Sequence, residues 1–184
     1  EDFARYEVVL RDPVCMDYRA YQICGMGPPS SGALAVGQIL GILERFDLAS
    51  MEDGVEFRHL FAEASRLAFA DRGLYLGDSD FVDIPDAYLD AGYLRERSAL
   101  IDSDKTMGVA APGVPPGWDK ASLSPDAERA RAGTSHFVIV DAKGNAVSAT
   151  TTIESGFGNR VMTHGFLLNN ELTDFSFVPE ADGA

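Results

Sequence analysis

The sequence predicts an α+β fold, with helices stacked on antiparallel sheet, and two observations carry that expectation. Strand-like segments open the chain, helical periodicity fills its middle, and strand-like segments return afterwards. That segregated order belongs to helices laid on antiparallel sheet, not to alternating βαβ units. The second observation is a hairpin signal, Ser135 to Asp141 and Ala146 to Thr152 around Lys143-Gly144-Asn145. At 184 residues the chain fits one domain and can bury about two-thirds of its unfolded surface.

Taken in order, Tyr6 to Leu10 and Tyr18 to Cys24 read as strands joined by a turn at Arg11-Asp12-Pro13. Gly25 to Gly32 is a breaker cluster of glycine, proline and serine. It lacks the lysine of a phosphate-binding loop. Ser30 or Ser31 then caps a helix through Leu34, Val36, Ile39, Leu40, Ile42 and Leu43, apolar nearly all round and so expected to be buried. Phe57, Leu60, Phe61, Ala64, Leu67, Ala68 and Asp71 keep i, i+3, i+4 spacing in a second helix, about Gly54 to Tyr75. A third, more polar helix is expected over about Asp86 to Ile101. Residues 102–133 show no period and carry Pro112, Pro115, Pro116 and Gly117, a loop of unusual length. After the hairpin, Gly156 to His164 reads as loop and Gly165 to Asn169 as a short strand.

The formal charge is −14, and no lysine/arginine cluster is present to neutralise phosphates. This excludes nucleic acid and anionic membrane as expected partners. No apolar run approaches the ~18 residues of a membrane span. The N-terminus has neither a basic region nor an apolar core of a signal peptide, and both ends read as cut from a longer chain. Cys15 and Cys24 read as two small buried hydrophobes, with pairing across a strand connection open in an oxidising compartment. Asp78, Asp80, Asp83 and Asp86 lack the glycine and glutamate of a calcium loop and read as a solvated, helix-capping segment. No metal or cofactor is expected.

The residues with chemistry begin at Gly133-Thr134, where loop becomes strand. Glycine leaves its carbonyl open to approach. A hydroxyl on the next residue can attack that carbonyl and shift the acyl group from nitrogen to oxygen. Hydrolysis then frees an α-amine, whose ordinary pKa near ~8 makes it a usable base at neutral pH. Nucleophile and base then share one residue. His136 is a poorer base for Thr134, since residues two apart on a strand are separated by roughly 6.6 Å. It reads as structural.

Thr134-Ser135-His136-Phe137, Asp141, Gly144 to Thr150, Phe157-Gly158 and Leu167 to Ser176 together resemble the start of the small subunit of γ-glutamyltranspeptidases, which are N-terminal-nucleophile hydrolases. Upstream, Pro28 to Gly32, Gln38-Ile39-Leu40, Leu43-Glu44, Glu63-Ala64, Ala70-Asp71-Arg72 and Leu76-Gly77-Asp78 resemble the later large subunit. The resemblance covers nearly the whole chain in the family's order.

The resemblance implies residues 1–133 as the end of the large-subunit region and 134–184 as the start of the small one. It implies part of a four-layer αββα sandwich, incomplete in this chain, with open sheet edges. Thr134 matches the catalytic threonine, Gly133–Thr134 the self-cleavage bond, and Thr152 the threonine that supports the nucleophile. Glu171 and Asp174 match positions holding the donor's α-ammonium, a role that suits carboxylates. Glu154 stands where the best-known members commonly carry asparagine, which adds a third carboxylate there. The expected partners are a γ-glutamyl donor such as glutathione, a water, amino-acid or peptide acceptor, and the rest of both subunits. The expected location is periplasmic or secreted. The donor's carboxylate-binding arginine and the serine and glycine pairs of the site match nothing in this chain. The segment alone is therefore expected to be inert, with its Gly133–Thr134 bond intact. The alternatives are an acylase of the same superfamily, cutting glutaryl or cephalosporin side chains, and a non-catalytic assembly or binding domain.

Overall fold

The computed structural model describes residues 4–5, 7–51, 54–119, 123 and 133–171. The chain divides into two compact units, Glu1–Pro125 and Asp126–Gly183.

The first unit opens with the antiparallel pair β1 (Val14–Tyr18) and β2 (Tyr21–Gly25). Residues 7–10 form no strand, and Val8, Val9 and Leu10 are exposed, so the expected strand over Tyr6 to Leu10 is corrected. The turn lies at Arg19-Ala20, inside the segment read as the second strand, with Arg19 left-handed at φ 55°. A two-residue turn of that kind is usually marked by glycine or asparagine. Its absence hid the hairpin. Pro13, which has no N–H for a ladder, directly precedes β1. Cys15 and Cys24 lie opposite each other in this register and form a disulfide, both on exposed positions. The reading of buried, unpaired hydrophobes is overturned by that cross-strand placement.

Helix α1 (Gly32–Leu43) follows, and its first-turn bond comes from Ser30, whose Oγ accepts from Gly32 N–H at 3.3 Å. It is not buried all round, since Val36 is exposed. Helix α2 (Val55–Tyr75) matches its expected span. The third expected helix is split. A 3-10 turn at Asp86–Leu89 is broken by extended backbone at Asp90, whose carboxylate accepts from Tyr93 N–H at 2.9 Å and caps α3 (Ala91–Ser98). Capping energy at Asp90 outweighs continuity of the weak apolar period.

The core joins Ile42 and Leu43 of α1, Leu60, Ala64 and Leu67 of α2, and Tyr93, Leu94 and Ile101. Burying each large aliphatic side chain there contributes about 1.5–3 kcal/mol. At Gly41 the Leu94 side chain fills the space a Cβ would take, so the glycine lets α3 approach α1.

A buried polar network sits within this core. Asp71, fully buried, accepts from Tyr93 OH at 2.6 Å, Gly113 N–H at 2.8 Å, Arg97 Nη2 at 3.0 Å and Gln38 Nε2 at 3.1 Å. Arg97 also donates to the Leu67 and Ala111 carbonyls. The irregular segment 106–113 is thereby fastened along one stripe of α2. Glu63 accepts from Thr106 Oγ1 and Met107 N–H, Arg66 donates to the Gly108 carbonyl, and Tyr75 OH donates to the Gly113 carbonyl at 2.7 Å. Residues 63, 71 and 75 are spaced by multiples of four and share one side of α2, while Arg66 flanks them and Arg97 of α3 holds Ala111.

The second unit contains the hairpin β3 (Thr134–Val140) and β4 (Ala146–Thr152), then the short pair β5 (Met162–Thr163) and β6 (Phe166–Leu167). β5 lies within the segment read as loop. The hairpin turn is closed by Asp141, whose carboxylate accepts from Asn145 Nδ2 and from the Lys143 and Asn145 N–H groups at 2.8–2.9 Å. These bonds, led by the Asn145 side chain, hold the Asp141 carboxyl below the usual carboxylate range. Gly144 supplies the left-handed residue at φ 82°. Each described strand has a single partner, and the described elements mix helix and strand. No described helix is long and apolar enough to cross a membrane.

Candidate functional site

Antiparallel register places Thr134 opposite Thr152 at the open end of the β3–β4 hairpin, away from its turn. Directly opposed residues share a face, and faces alternate along each strand. Thr134, His136, Thr150, Ser148 and Thr152 therefore line one face. Phe137, Ile139, Val147 and Ala149 line the other. His136 bridges the strands, with Nδ1 at 2.8 Å from Thr150 Oγ1 and Nε2 at 3.1 Å from Ser148 Oγ. Both ring nitrogens are thus engaged with β4, in keeping with a structural role.

Beyond Thr152 the chain turns sharply. Glu154 is left-handed, at φ 67°, and only 8% exposed. Its N–H donates to Thr152 Oγ1 at 2.9 Å. Its carbonyl oxygen occupies the space a Cβ on residue 133 would need, so Gly133 is the residue that lets the two backbones meet. The structure thus brings together Gly133, Thr134, Thr152 and Glu154.

Glu154 Oε2 accepts from Ser155 Oγ at 2.8 Å and from Asn170 Nδ2. Asn170 Oδ1 accepts from Ser155 N–H at 3.0 Å, and Asn170 N–H donates to the Ile153 carbonyl at 3.3 Å. Further backbone bonds, Asn159 to Leu168 and Leu168 to Val161, hold the segment before Asn170 against the loop after β4. Glu171 follows directly, its N–H donating to Asn169 Oδ1 at 3.1 Å. Asp174 lies outside the described residues. Neither Asn170 nor Ser155 has a role expected from the sequence. The Asn169-Asn170 doublet is the available signal, but nothing in a linear reading aims an amide at Glu154.

In the first unit, Asp78 Oδ1 accepts from Asp80 N–H at 3.0 Å, and Asp80 forms a two-point ion pair with Arg11 at 2.6 and 3.1 Å. These acids make a capped turn with an ion pair. Among the described residues no group of three or more histidine, cysteine, aspartate or glutamate side chains is placed to hold a metal ion.

A sequence model of the gamma-glutamyltranspeptidase family matches residues 1–184, the full chain. The chain belongs to the gamma-glutamyltranspeptidase family. It is 37% identical over 188 aligned residues to a glutathione hydrolase proenzyme of Bacillus subtilis (strain 168), covering 97% of this chain and 32% of that protein. It is 39% identical over 182 residues to the acylase ACY 1 proenzyme of Pseudomonas sp. (strain SE83), covering 97% of this chain and 30% of that one. The fold of the Helicobacter pylori gamma-glutamyltranspeptidase crystal structure superposes with a TM-score of 0.58 at 40% identity, over 61% of this chain and 33% of that chain. The chain spans about a third of the length of the curated relatives it matches.

Proposed function

We propose that the chain carries the self-cleavage bond and the nucleophile of a γ-glutamyl hydrolase or transferase. The observation that carries this reading is the Gly133–Thr134 junction at the open end of the hairpin, with Thr152 opposite, in a chain whose relatives include proenzymes. Thr134 Oγ attacks the Gly133 carbonyl carbon, the C–N bond breaks, and the acyl group moves to oxygen. Water hydrolyses that ester, leaving a carboxylate on Gly133 and a free α-amine on Thr134.

In the matured protein that amine takes the Thr134 hydroxyl proton while the oxygen attacks the γ-carbonyl of a γ-glutamyl amide such as glutathione. The proton passes to the leaving amine and a γ-glutamyl ester forms on Thr134. Water, an amino acid or a peptide then takes the acyl group. Thr152 supports the nucleophile. Glu154, Glu171 and Asp174 hold the donor's α-ammonium. Residues 1–133 and 134–184 belong to the large- and small-subunit regions of a four-layer αββα sandwich.

The segment alone is proposed to be inert. The family's arginine, serine pair and oxyanion glycines match none of its motifs, and losing even one oxyanion donor costs about 100-fold or more. The Cys15–Cys24 disulfide supports a periplasmic or secreted location, where such bonds persist.

Mass spectrometry of the full-length protein tests the reading. Wild type is expected as two pieces split before Thr134, hydrolysing a γ-glutamyl anilide, and Thr134→Ala as one inactive chain. A persistent single wild-type chain favours the non-catalytic binding domain instead. The acylase relative favours a second reading, the cleavage of glutaryl or cephalosporin side chains. Preference for a glutaryl over a γ-glutamyl anilide decides for it.

A further inference from the structure

We propose that Asn170 is a positioning residue for donor binding, acting through the Glu154 carboxylate. This rests on the γ-glutamyl reading above and adds to it a residue that touches no reacting atom. A non-glycine residue in the left-handed region costs about 1–3 kcal/mol and persists only where its surroundings over-determine it. Glu154 is such a residue, and a buried carboxylate also needs donors. Asn170 meets much of both needs. Its Nδ2 donates to Glu154 Oε2, and also reaches Ser155 Oγ at 3.3 Å. Its Oδ1 accepts from Ser155 N–H, and its backbone N–H donates to the Ile153 carbonyl. One residue thus ties three successive positions, 153, 154 and 155, and leads covalently into Glu171.

The amide can satisfy these partners in one orientation only. Turned over, it sets oxygen against carboxylate oxygen and N–H against N–H. Aspartate at 170 keeps the bond from Ser155 N–H but has no donor for Glu154 and places two carboxylates face to face. Leucine at 170 keeps neither pairing. The position therefore needs an amide, and the need comes from Glu154. Two of the three carboxylates assigned to the ammonium are in this way held in a common frame by Asn170.

A double-mutant cycle in the full-length protein tests this, with steady-state hydrolysis of γ-glutamyl-p-nitroanilide as the probe reaction. Asn170→Asp is expected to raise KM roughly 10–100-fold, the range of a lost hydrogen bond to a charged group, with kcat changed less than about threefold. In a Glu154→Gln background the same change is expected to leave KM unchanged or lower it, because the amide introduced at 154 can donate to the carboxylate introduced at 170. Equal KM ratios in the two backgrounds, or a loss confined to kcat, overturn the proposal. If Asn170→Asp alone does not fold, as judged by circular dichroism and self-cleavage, the double variant decides. A KM at or below that of Glu154→Gln supports the proposal, and a higher one overturns it. A wild-type protein that neither splits at Thr134 nor hydrolyses the probe overturns the γ-glutamyl reading and this inference with it. An active wild type with additive changes overturns the inference alone.

Discussion

Removing the Asp71 carboxylate should destabilise the first unit more than any other single side-chain truncation on α2. Asp71 is fully buried and accepts four donors, one of them Arg97, itself 4% exposed. Breaking a buried pair by deleting one partner costs about 3–5 kcal/mol, because the remaining charge is left uncompensated. The Tyr93 hydroxyl, Gly113 N–H and Gln38 amide lose their acceptor as well, at about 1–3 kcal/mol each when isolated. These losses share one relaxation and do not add, so about 4–6 kcal/mol is expected for Asp71→Ala. Asp71→Asn preserves volume but turns an amide donor toward donors, and about 2–4 kcal/mol is expected. Urea unfolding is the assay. Trp118, the one tryptophan of the chain, packs edge-on against Tyr75 with ring centroids 6.2 Å apart, so its fluorescence reports this unit. With a slope near ~2 kcal/mol/M, the alanine midpoint should fall by about 2–3 M. A loss below about 1 kcal/mol for Asp71→Ala, against the 3–5 kcal/mol typical of a broken buried pair, would refute the claim that the network is held by this charge.

Glu63 supplies a pH dependence. Burial works against its charged form, but the Met107 N–H, the Thr106 hydroxyl, Arg66 and His59 outweigh it and hold the carboxyl below its ordinary value. A lowered folded value means stability that is present above the unfolded pKa and lost as pH falls through the folded one. Wild type should therefore exceed Glu63→Gln in stability at pH 7, with the gap closing below about pH 4. An unchanged gap at pH 3 contradicts this. For the disulfide, thiol titration of the denatured, unreduced protein should find no free thiol. Replacing both Cys15 and Cys24 by serine should cost up to about 2–3 kcal/mol, from a cross-link spanning nine residues of sequence. An unshifted urea midpoint counts against it.

The long elements were legible because their signal repeats. α2 carries seven spaced positions, and its span differs from expectation by one residue at its start. The β3–β4 hairpin likewise announced itself through Lys143-Gly144-Asn145, and Asp141 explains why, binding three donors from that turn. The misses share a cause. At Arg19 and at Asp90 a single residue decides where an element ends, one by left-handed backbone and the other by a side-chain cap. Neither leaves a periodic trace. The segment 106–113 has no period at all, yet it is held by α2 and by Arg97 of α3. A helix stripe of Glu63, Asp71 and Tyr75 reads locally as polar decoration, and only tertiary approach turns it into a set of acceptors and a donor for a neighbouring backbone.

The site divides along the same line. Thr134 and Thr152 came together in the sequence only through the family resemblance, whereas their facing each other is a product of the hairpin register. The arrangement beyond Thr152 was not legible there, because it depends on one left-handed residue. Under the proposed mechanism, that residue also bears on how Thr152 would support the nucleophile. A hydroxyl has one proton to give and two lone pairs. Glu154 N–H, at 2.9 Å, takes one lone pair of Thr152 Oγ1 and fixes the hydroxyl as acceptor on that side. Its proton is left to donate elsewhere, and its register partner is Thr134. The turn at Glu154 thus orients Thr152, leaves room only for glycine at 133, and offers its carboxylate to Asn170. A substitution that moves Glu154 out of the left-handed region should disturb self-cleavage and donor binding together, whereas one that removes only its charge should separate them.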